Sequence, residues 1–185
     1  MPADESPTDE GIIEGCRRGD PPAQEALYRR HWPFAMSVCL RYAPTREDAL
    51  EVAHDAFVNA FRALDRFDRG RPFRPWFRAV LVRCAVDHHR STRRHRATVV
   101  PETDPPEVPV AAGALDALQA ADLLRLLGAL SADERAVFNL YEVDGHSHDE
   151  IAALLGVAPG TSRSHLARAK RRLRALYHEH HGATP

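Results

Sequence analysis

The chain has 185 residues, 44% of them hydrophobic, which fits one or two globular domains and argues against wholesale disorder. Its three cysteines form no Cys-x-x-Cys pair and no apolar run reaches membrane-spanning length, which argues against a disulfide framework, a zinc finger and membrane insertion. The net charge is −1, yet arginines crowd the segment 62–96, and a second basic segment lies near the C terminus. Two separated basic surfaces predict two contacts with a polyanion. The scattered cysteines and the lack of a membrane-spanning run predict a cytoplasmic protein.

Helical signals begin directly after a polar tail, residues 1–9, that we predict to be disordered. A short helix is expected over 10–18, and Asp20 followed by Pro21 marks the start of a longer one. Pro33 falls inside this second pattern, so we expect it to kink or split the helix.

Two further helices are predicted in the next part of the chain. Thr45, with Asp48 three residues later, has the spacing of an N-terminal cap. Apolar residues then recur at helical intervals up to a loop, 65–72, that contains glycine and proline. Pro75 predicts the start of a long helix that ends in an arginine cluster near Arg96.

The segment 97–114 interrupts the helical patterns. It carries four prolines, three acids and no basic residue, which predicts a flexible linker. Helical spacing resumes over 115–127. Ser131 with Glu134 forms a capping box for a further helix, which Gly145 is expected to end.

The clearest motif is a pair of helices between Ser147 and Leu176. Ser147 is a good N-cap, Gly156 predicts a left-handed end to the first helix, and Pro159 begins the second. The second helix combines an apolar stripe with basic residues and no acid. This pattern predicts a helix-turn-helix whose basic second helix enters the DNA major groove.

Two long segments, in this order, resemble the bacterial RNA polymerase sigma factors. DALEVAHDAFVNAFRALDRFD (48–68) with FRPWFRAVLVRCAVDHHRSTRR (73–94) resembles their second conserved domain. LLRLLGALSADERAVFNLYEVDGHSHDEIAALLGVAPGTSRSHLARAKRRL (123–173) resembles their fourth domain. The short chain, with only a linker between the two, resembles the extracytoplasmic-function (ECF) group.

The resemblance implies an all-α fold of two small helical domains joined by a flexible, proline-rich linker. Sigma domain two would cover 10–96, the linker 97–114 and sigma domain four 115–178, with tails at 1–9 and 179–185. The implied function is to bind core RNA polymerase, recognise the −10 and −35 promoter elements and initiate transcription, without enzyme activity, cofactor or metal. The implied partners are core polymerase (its large clamp subunit and flap), promoter DNA, and an anti-sigma factor of the kind common in the group.

The resemblance also implies which residues meet each partner. Asp48, Glu51 and Asp55 share one helix face, which in the family docks on the coiled coil of the polymerase clamp subunit. The residues expected at the −10 element lie in the loop and the arginine helix: Phe67, Arg69, Arg71, Phe73, Arg74, Arg83, Arg90, Arg93 and Arg94. Those expected at the −35 element lie on the second helix of the helix-turn-helix: Thr161, Arg163, Ser164, His165, Arg168, Lys170, Arg171 and Arg172.

Two other functions fit the sequence less well. A two-domain regulator would explain the helix-turn-helix and would bind duplex DNA alone, but it explains neither the arginine-dense helix nor the acidic face. A histidine-metal hydrolase has no support from a carboxylate–histidine constellation, a Gly-x-Ser-x-Gly motif or a phosphate loop. The eleven histidines show no three-ligand spacing backed by carboxylates, so no metal site is expected.

Overall fold

The computed structural model describes residues 9–98 and 122–181, and the regular elements in these ranges are helical. The N-terminal group consists of α1 (Asp9–Arg17), α2 (Pro21–Tyr42), α3 (Arg46–Ala63) and α4 (Phe73–Thr98), with a 3₁₀ turn at Leu64–Arg66. The C-terminal group consists of α5 (122–128), α6 (Ala132–Phe138), α7 (His148–Leu155) and α8 (Pro159–His181), with a π-helical turn at Asn139–Val143 after α6. The all-α fold class is confirmed. Most of the predicted linker and of the predicted N-terminal tail lies outside the described residues, whereas 179–181 of the predicted C-terminal tail form the end of α8.

The local capping signals are confirmed. Thr45 caps α3, since its side chain accepts a hydrogen bond from the Asp48 backbone N–H. Ser131 at α6 and Ser147 at α7 each form a complete capping box with the glutamate three residues on. Gly156 ends α7 in the left-handed region, with φ of 65°, a conformation that glycine adopts without a steric cost.

Two proline predictions need correction. Helix α2 runs without a break through Pro33, so of the two expected outcomes, a kink or a split, the split does not occur. Proline has no backbone N–H, so the carbonyl four residues before Pro33 has no partner within the helix. Pro33 is exposed while His31 and Ala35 beside it are buried, so this carbonyl lies on the solvent side, where water can bond it. Helix α4 begins at Phe73 rather than at Pro75, which lies in its first turn and therefore disrupts no hydrogen bond within the helix.

An aromatic core holds the N-terminal group together. The Phe77 ring has no exposed surface, and its centroid lies 4.8 Å from that of Phe57 and 5.4 Å from that of Phe73. His31 is also buried, with its ring 4.7 Å from Phe73. Burial lowers the pKa of His31, so this histidine is part of the core in its neutral form.

The two helical groups pack on each other. Val82 and Val86 of α4 belong to the same contiguous buried cluster as Val137 of α6 and Leu140 of the π-helical turn. Helix α6 contacts α2 and α4, and α7 contacts α4. Helices α2 and α4 therefore form the side of the N-terminal group that meets the C-terminal group.

Candidate nucleic-acid interface

Helices α7 and α8 form the predicted helix-turn-helix. Gly156 ends α7, and Pro159 begins α8 after a turn in which Val157 donates its backbone N–H to the carbonyl of Ala152. The side of α8 that faces the other C-terminal helices is marked by buried side chains, which are Ser162, Leu166 and Ala169. The opposite side of α8 is therefore open to solvent.

The outward side of α8 carries most of the residues predicted to read the −35 element. The exposed members of that set are Thr161, Arg163, Ser164, Arg168, Arg171 and Arg172. Thr161, Ser164 and Arg168 are spaced three and four residues apart, so they form one stripe of exposed side chains along the helix. The Ser164 hydroxyl donates to the carbonyl of Gly160 at 3.0 Å, which leaves its lone pairs able to accept.

Two basic residues of α8 are paired with carboxylates of the C-terminal group. Arg168 Nε lies 3.3 Å from Glu134 Oε1, and Lys170 Nζ lies 2.6 Å from Glu142 Oε1. Another guanidinium nitrogen of Arg168 is 3.0 Å from Nδ1 of His165, whose pKa is lowered chiefly by burial. A DNA phosphate that binds Arg168 or Lys170 must therefore compete with a carboxylate.

A polar contact between α7 and α8 was not predicted. Ser162 is completely buried, and its Oγ lies 2.9 Å from Nδ1 of His148. The His148 ring in turn stacks on Tyr141, with centroids 4.6 Å apart and planes 23° from parallel. The only sequence signal for this contact is a serine in the apolar stripe of α8, at the position nearest α7.

Arg17 fixes the loop between α3 and α4. Its guanidinium donates to the carbonyls of Leu64, Asp65 and Phe67 over 2.7 to 3.3 Å. A charged donor shared by three carbonyls holds the loop in one conformation. Because these partners lie about fifty positions away in sequence, no local pattern could have indicated this role of α1.

The two phenylalanines predicted to contact the −10 element are buried. Phe67 and Phe73 are each 5% exposed, and both pack against Trp76, at centroid distances of 4.9 and 5.5 Å. Neither ring offers a face to solvent in this conformation. The exposed members of the predicted set here are Arg69 and Arg71 in the loop and Arg74 in the first turn of α4.

A cavity of about 300 Å³ lies between α1 and this loop. Three carboxylates line it from α1, namely Asp9, Glu10 and Glu14, and three guanidinium groups line it from the loop and the start of α4, namely Arg69, Arg71 and Arg74. Arg69 and Glu14 pair at 2.5 Å. The cavity therefore presents both hydrogen-bond acceptors and cations.

The arginines farther along α4 are exposed, as predicted contacts with phosphates require. Arg83 and Arg90 line an open groove of about 490 Å³ between α4 and α7. Arg93 donates to the carbonyl of Leu155, the last residue of α7, at 3.5 Å. Arg94 is exposed near the end of α4.

The predicted polymerase-binding acids lie on α3. Glu51 and Asp55 are exposed, whereas Asp48 accepts a hydrogen bond from Thr45 Oγ1 at 2.7 Å and lies 3.3 Å from His88 Nε2. Ligand atoms of Asp48, Glu51 and His88 lie within 4.8 Å of one another, an arrangement that could hold a divalent cation. Both oxygens of Asp48 already serve these protein contacts.

The buried cysteines are not reactive nucleophiles. Burial raises the pKa of the Cys16 thiol to about 11 and that of Cys39 to about 12. Both side chains are therefore neutral thiols near pH 7, and a thiol is a poor nucleophile.

Two family models match the chain. The model for Sigma-70 region 2 matches residues 27–95, and the model for Sigma-70, region 4 matches residues 120–173. The chain belongs to the sigma-70 family. The first match contains α3, the loop and nearly all of α4, and the second contains the helix-turn-helix. Sigma factors are non-enzymatic transcription initiation factors.

Individual relatives agree with this assignment and with the ECF group. The ECF RNA polymerase sigma-E factor of Escherichia coli K12 is 29% identical over 174 residues, which cover 88% of this chain and 91% of that protein. RNA polymerase sigma factor NccH of Alcaligenes xylosoxydans xylosoxydans is 29% identical over 182 residues, or 91% and 94% of the two chains. A solved structure of the sigma factor RpoE with the anti-sigma factor NepR, from Bartonella quintana, matches with a TM-score of 0.51 and 26% identity, covering 83% of this chain and 95% of that one.

Within residues 9–98 and 122–181, no helix is both long enough and apolar enough to cross a membrane.

Proposed function

We propose that this ECF sigma factor binds core RNA polymerase, recognises the −35 and −10 elements of its promoters and initiates transcription of a specific gene set. Residues 10–96 would form the domain that binds polymerase and the −10 element, and 115–178 the domain that binds the −35 element. The observation that carries the proposal is helix α8, which exposes a basic surface without an acidic residue over 161–174 while its apolar side is buried in a helix-turn-helix.

Recognition of the −35 element is assigned to the first turns of α8. Arg163 is exposed there and can donate two hydrogen bonds to guanine O6 and N7, a pair worth about 1–3 kcal/mol in discrimination. Thr161 and Ser164 can meet base edges beside it. Arg171 and Arg172, farther along α8, suit phosphates, and each phosphate contact should add about 0.9 to the salt slope on duplex DNA.

Recognition of the −10 element is assigned to the loop after α3 and to α4. A base taken out of the DNA stack needs a pocket with polar groups for its edges, and the cavity beside α1 supplies carboxylates and guanidinium groups. Because Phe67 and Phe73 are buried, we assign them to the wall of this cavity rather than to an exposed stacking surface. Arg83, Arg90 and Arg94 would hold the phosphates that follow.

Docking on core polymerase is assigned to the acidic face of α3. Glu51 and Asp55 are exposed on that face, and Asp48 can join them if it exchanges His88 for an arginine of the polymerase. The proposed contacts on the polymerase are the clamp subunit and the flap. An anti-sigma factor is a further proposed partner, since the sigma factor RpoE is solved in complex with one. The proposed location is the cytoplasm.

Run-off transcription tests the proposal. Core polymerase with and without the chain would be given a library of promoter DNA, and transcripts should appear only when both proteins are present. The sequences of the transcribed templates would then define the −35 and −10 elements. If the chain gave no transcript but bound duplex DNA sequence-specifically without polymerase, the protein would be a conventional helix-turn-helix regulator and the proposal would be wrong.

A further inference from the structure

Helix α1 is anchored to the body of the N-terminal group. Ile12, Ile13 and Cys16 are buried and belong to the same cluster as the core residues of α2, α3 and α4. Asp9, at the start of the helix, pairs with Arg30 of α2 at 3.0 Å. The polar side chains that project from α1 therefore start from a fixed position.

Arg17, the last residue of α1, supplies hydrogen bonds to the end of another helical segment. The 3₁₀ turn at Leu64–Arg66 ends the segment that begins with α3, and the last carbonyls of a helix have no partner within it. Arg17 donates to Leu64 O from Nε at 2.9 Å and from Nη2 at 2.7 Å. Nη2 also donates to Phe67 O at 2.7 Å and to Asp65 O at 3.3 Å. One side chain thus satisfies carbonyls of three residues where the loop begins.

This contact uses the shape of the guanidinium group. Arginine presents its N–H donors in a planar fork with fixed directions, whereas lysine presents a compact ammonium on a flexible stem. A lysine at position 17 would keep the charge, but it would not present donors at the positions of both Nε and Nη2. The contact therefore depends on geometry as well as on charge.

Arg17 thereby fixes one wall of the cavity between α1 and the loop. Arg17 holds the Phe67 carbonyl, and the Phe67 ring lines the cavity and packs against Trp76 at a centroid distance of 4.9 Å. Arg69 and Arg71 come next in the loop and also line the cavity, whereas Arg17 lies outside its lining. The influence of Arg17 on the cavity therefore passes through the backbone of the loop.

The facing wall of the cavity comes from the same helix. Glu10 and Glu14 of α1 line the cavity, and Glu14 Oε2 pairs with Arg69 of the loop at 2.5 Å. Glu14 lies three residues before Arg17, so one anchored helix both carries one wall and holds the backbone of the other. A movement of the loop away from α1 would change the width of the cavity.

We propose that Arg17 is a positioning residue for the capture of an unstacked −10 base, because it holds the loop at the distance from α1 that the base pocket requires. Extrusion of a base from the stack costs free energy, so a pocket that is already ordered captures the base more readily than one that must first become ordered. The match to Sigma-70 region 2 begins at residue 27, after α1 has ended. This inference rests on the proposed function for its consequence at the promoter, but the order of the loop can be measured without DNA or polymerase.

The first measurement is hydrogen exchange of loop amides in the free, full-length chain. The Phe67 N–H bonds the Leu64 carbonyl and the Arg71 N–H bonds the Asp68 carbonyl, both at 3.1 Å, so protection of these two amides reports the order of the loop. Arg17→Gln keeps a polar side chain but cannot reach all three carbonyls. It should speed exchange of both amides about tenfold and leave exchange in α2 unchanged.

The second measurement uses the holoenzyme and a promoter taken from the run-off selection. Two fork DNAs share the −35 element, and only the longer one continues into a single-stranded −10 element. If Arg17→Gln leaves the loop ordered in about one molecule in ten, affinity for the longer DNA should fall about tenfold, because apparent affinity scales with the competent fraction. Affinity for the shorter DNA and for core polymerase should not change, which separates loop positioning from a general loss of folding.

Two further variants complete the design. Arg18→Gln removes the same charge at the next residue, whose exposed side chain pairs with Glu14 at 3.5 Å, and it should match the wild type in both measurements. Arg17→Lys keeps the charge without the planar fork, so its loop exchange and DNA affinity should stay close to those of Arg17→Gln. Circular dichroism checks the folding of each variant, and Arg17→Lys keeps the test decisive if Arg17→Gln does not fold.

Each outcome decides the role of Arg17. Loop exchange in Arg17→Gln equal to that in Arg18→Gln would overturn the assignment. Faster exchange with unchanged affinity for the longer DNA would show that Arg17 has no part in capturing the base. Full recovery of DNA affinity in Arg17→Lys, with the loop still exchanging fast, would show that Arg17 meets DNA as a cation instead. If wild-type holoenzyme bound both fork DNAs equally, the proposed function would fail at the −10 element, while exchange alone would still decide whether Arg17 orders the loop.

Discussion

The hydrogen bond between Ser162 and His148 should hold the two helices of the helix-turn-helix in register. Ser162 has no exposed surface and its Oγ is 2.9 Å from His148 Nδ1, so Ser162→Ala removes a buried partner. A hydrogen bond of this kind contributes about 1 kcal/mol net. We expect Ser162→Ala to lower the free energy of unfolding by about that amount, and the melting temperature by about 2–4 °C for a chain of this size.

A double-mutant cycle isolates this contact from the packing around it. His148→Phe keeps a ring that can stack on Tyr141 but leaves the Ser162 hydroxyl without its partner, so it should also cost about 1 kcal/mol. In each single variant the remaining polar group is left without its partner, whereas the double variant has neither group. The double variant should therefore be about 1 kcal/mol more stable than the sum of the single changes predicts. Urea unfolding followed by circular dichroism measures all four proteins.

Ser164→Ala is the matched control for this cycle. Ser164 lies two residues farther along α8, where its hydroxyl is exposed and bonds only the Gly160 carbonyl. Its removal should change the free energy of unfolding by less than about 0.5 kcal/mol. If the effects of Ser162→Ala and His148→Phe were simply additive, the hydrogen bond would contribute nothing and the reasoning would be refuted.

Three further predictions concern the other proposed surfaces. Arg163→Ala should weaken −35 recognition by about 1–3 kcal/mol in a holoenzyme gel-shift assay; loss of core binding as well would contradict its assignment to DNA. Asp48→Arg combined with Glu51→Arg should prevent co-purification with core polymerase, and normal co-purification would show that the docking face is wrong. His31→Leu should remove a loss of stability at acid pH. Burial holds the His31 pKa below its unfolded value, so the wild type binds a proton on unfolding and loses stability as pH falls through about 6.5. Urea unfolding at about pH 7.5 and about pH 5.5 measures this, and an equal loss of stability in both proteins would contradict the assignment to His31.

Features that depend on neighbouring residues were predictable from the sequence. The caps at Thr45 and Ser147 join residues three apart, and the turn at Gly156 depends on one residue's backbone conformation. The two matched sigma regions and the helix-turn-helix follow from the same kind of local pattern. The continuous passage of α2 through Pro33 was not predictable, because it depends on which side of the helix the core lies.

Contacts between distant residues were beyond the reach of the sequence patterns. Tyr42 and Asp144 are separated by 102 positions, and Arg78 and Asp144 by 66. Nothing in either neighbourhood marks one as the partner of the other. The burial of Phe67 and Phe73 was missed for a related reason, since an aromatic residue in a loop looks the same in sequence whether it faces a base or the core.

Three of the basic side chains proposed to meet DNA are paired with acids of this chain. Arg168 is paired with Glu134, Lys170 with Glu142 and Arg69 with Glu14, so three basic side chains proposed to meet DNA have carboxylate partners at 2.5 to 3.3 Å. Each phosphate that binds one of these cations replaces a carboxylate, which reduces the net gain in attraction. These three cations should therefore add less to DNA binding by the free chain than their charge alone suggests. A factor built in this way gains promoter affinity mainly when another protein holds the two surfaces in place, which is the role that the proposed function gives to core polymerase.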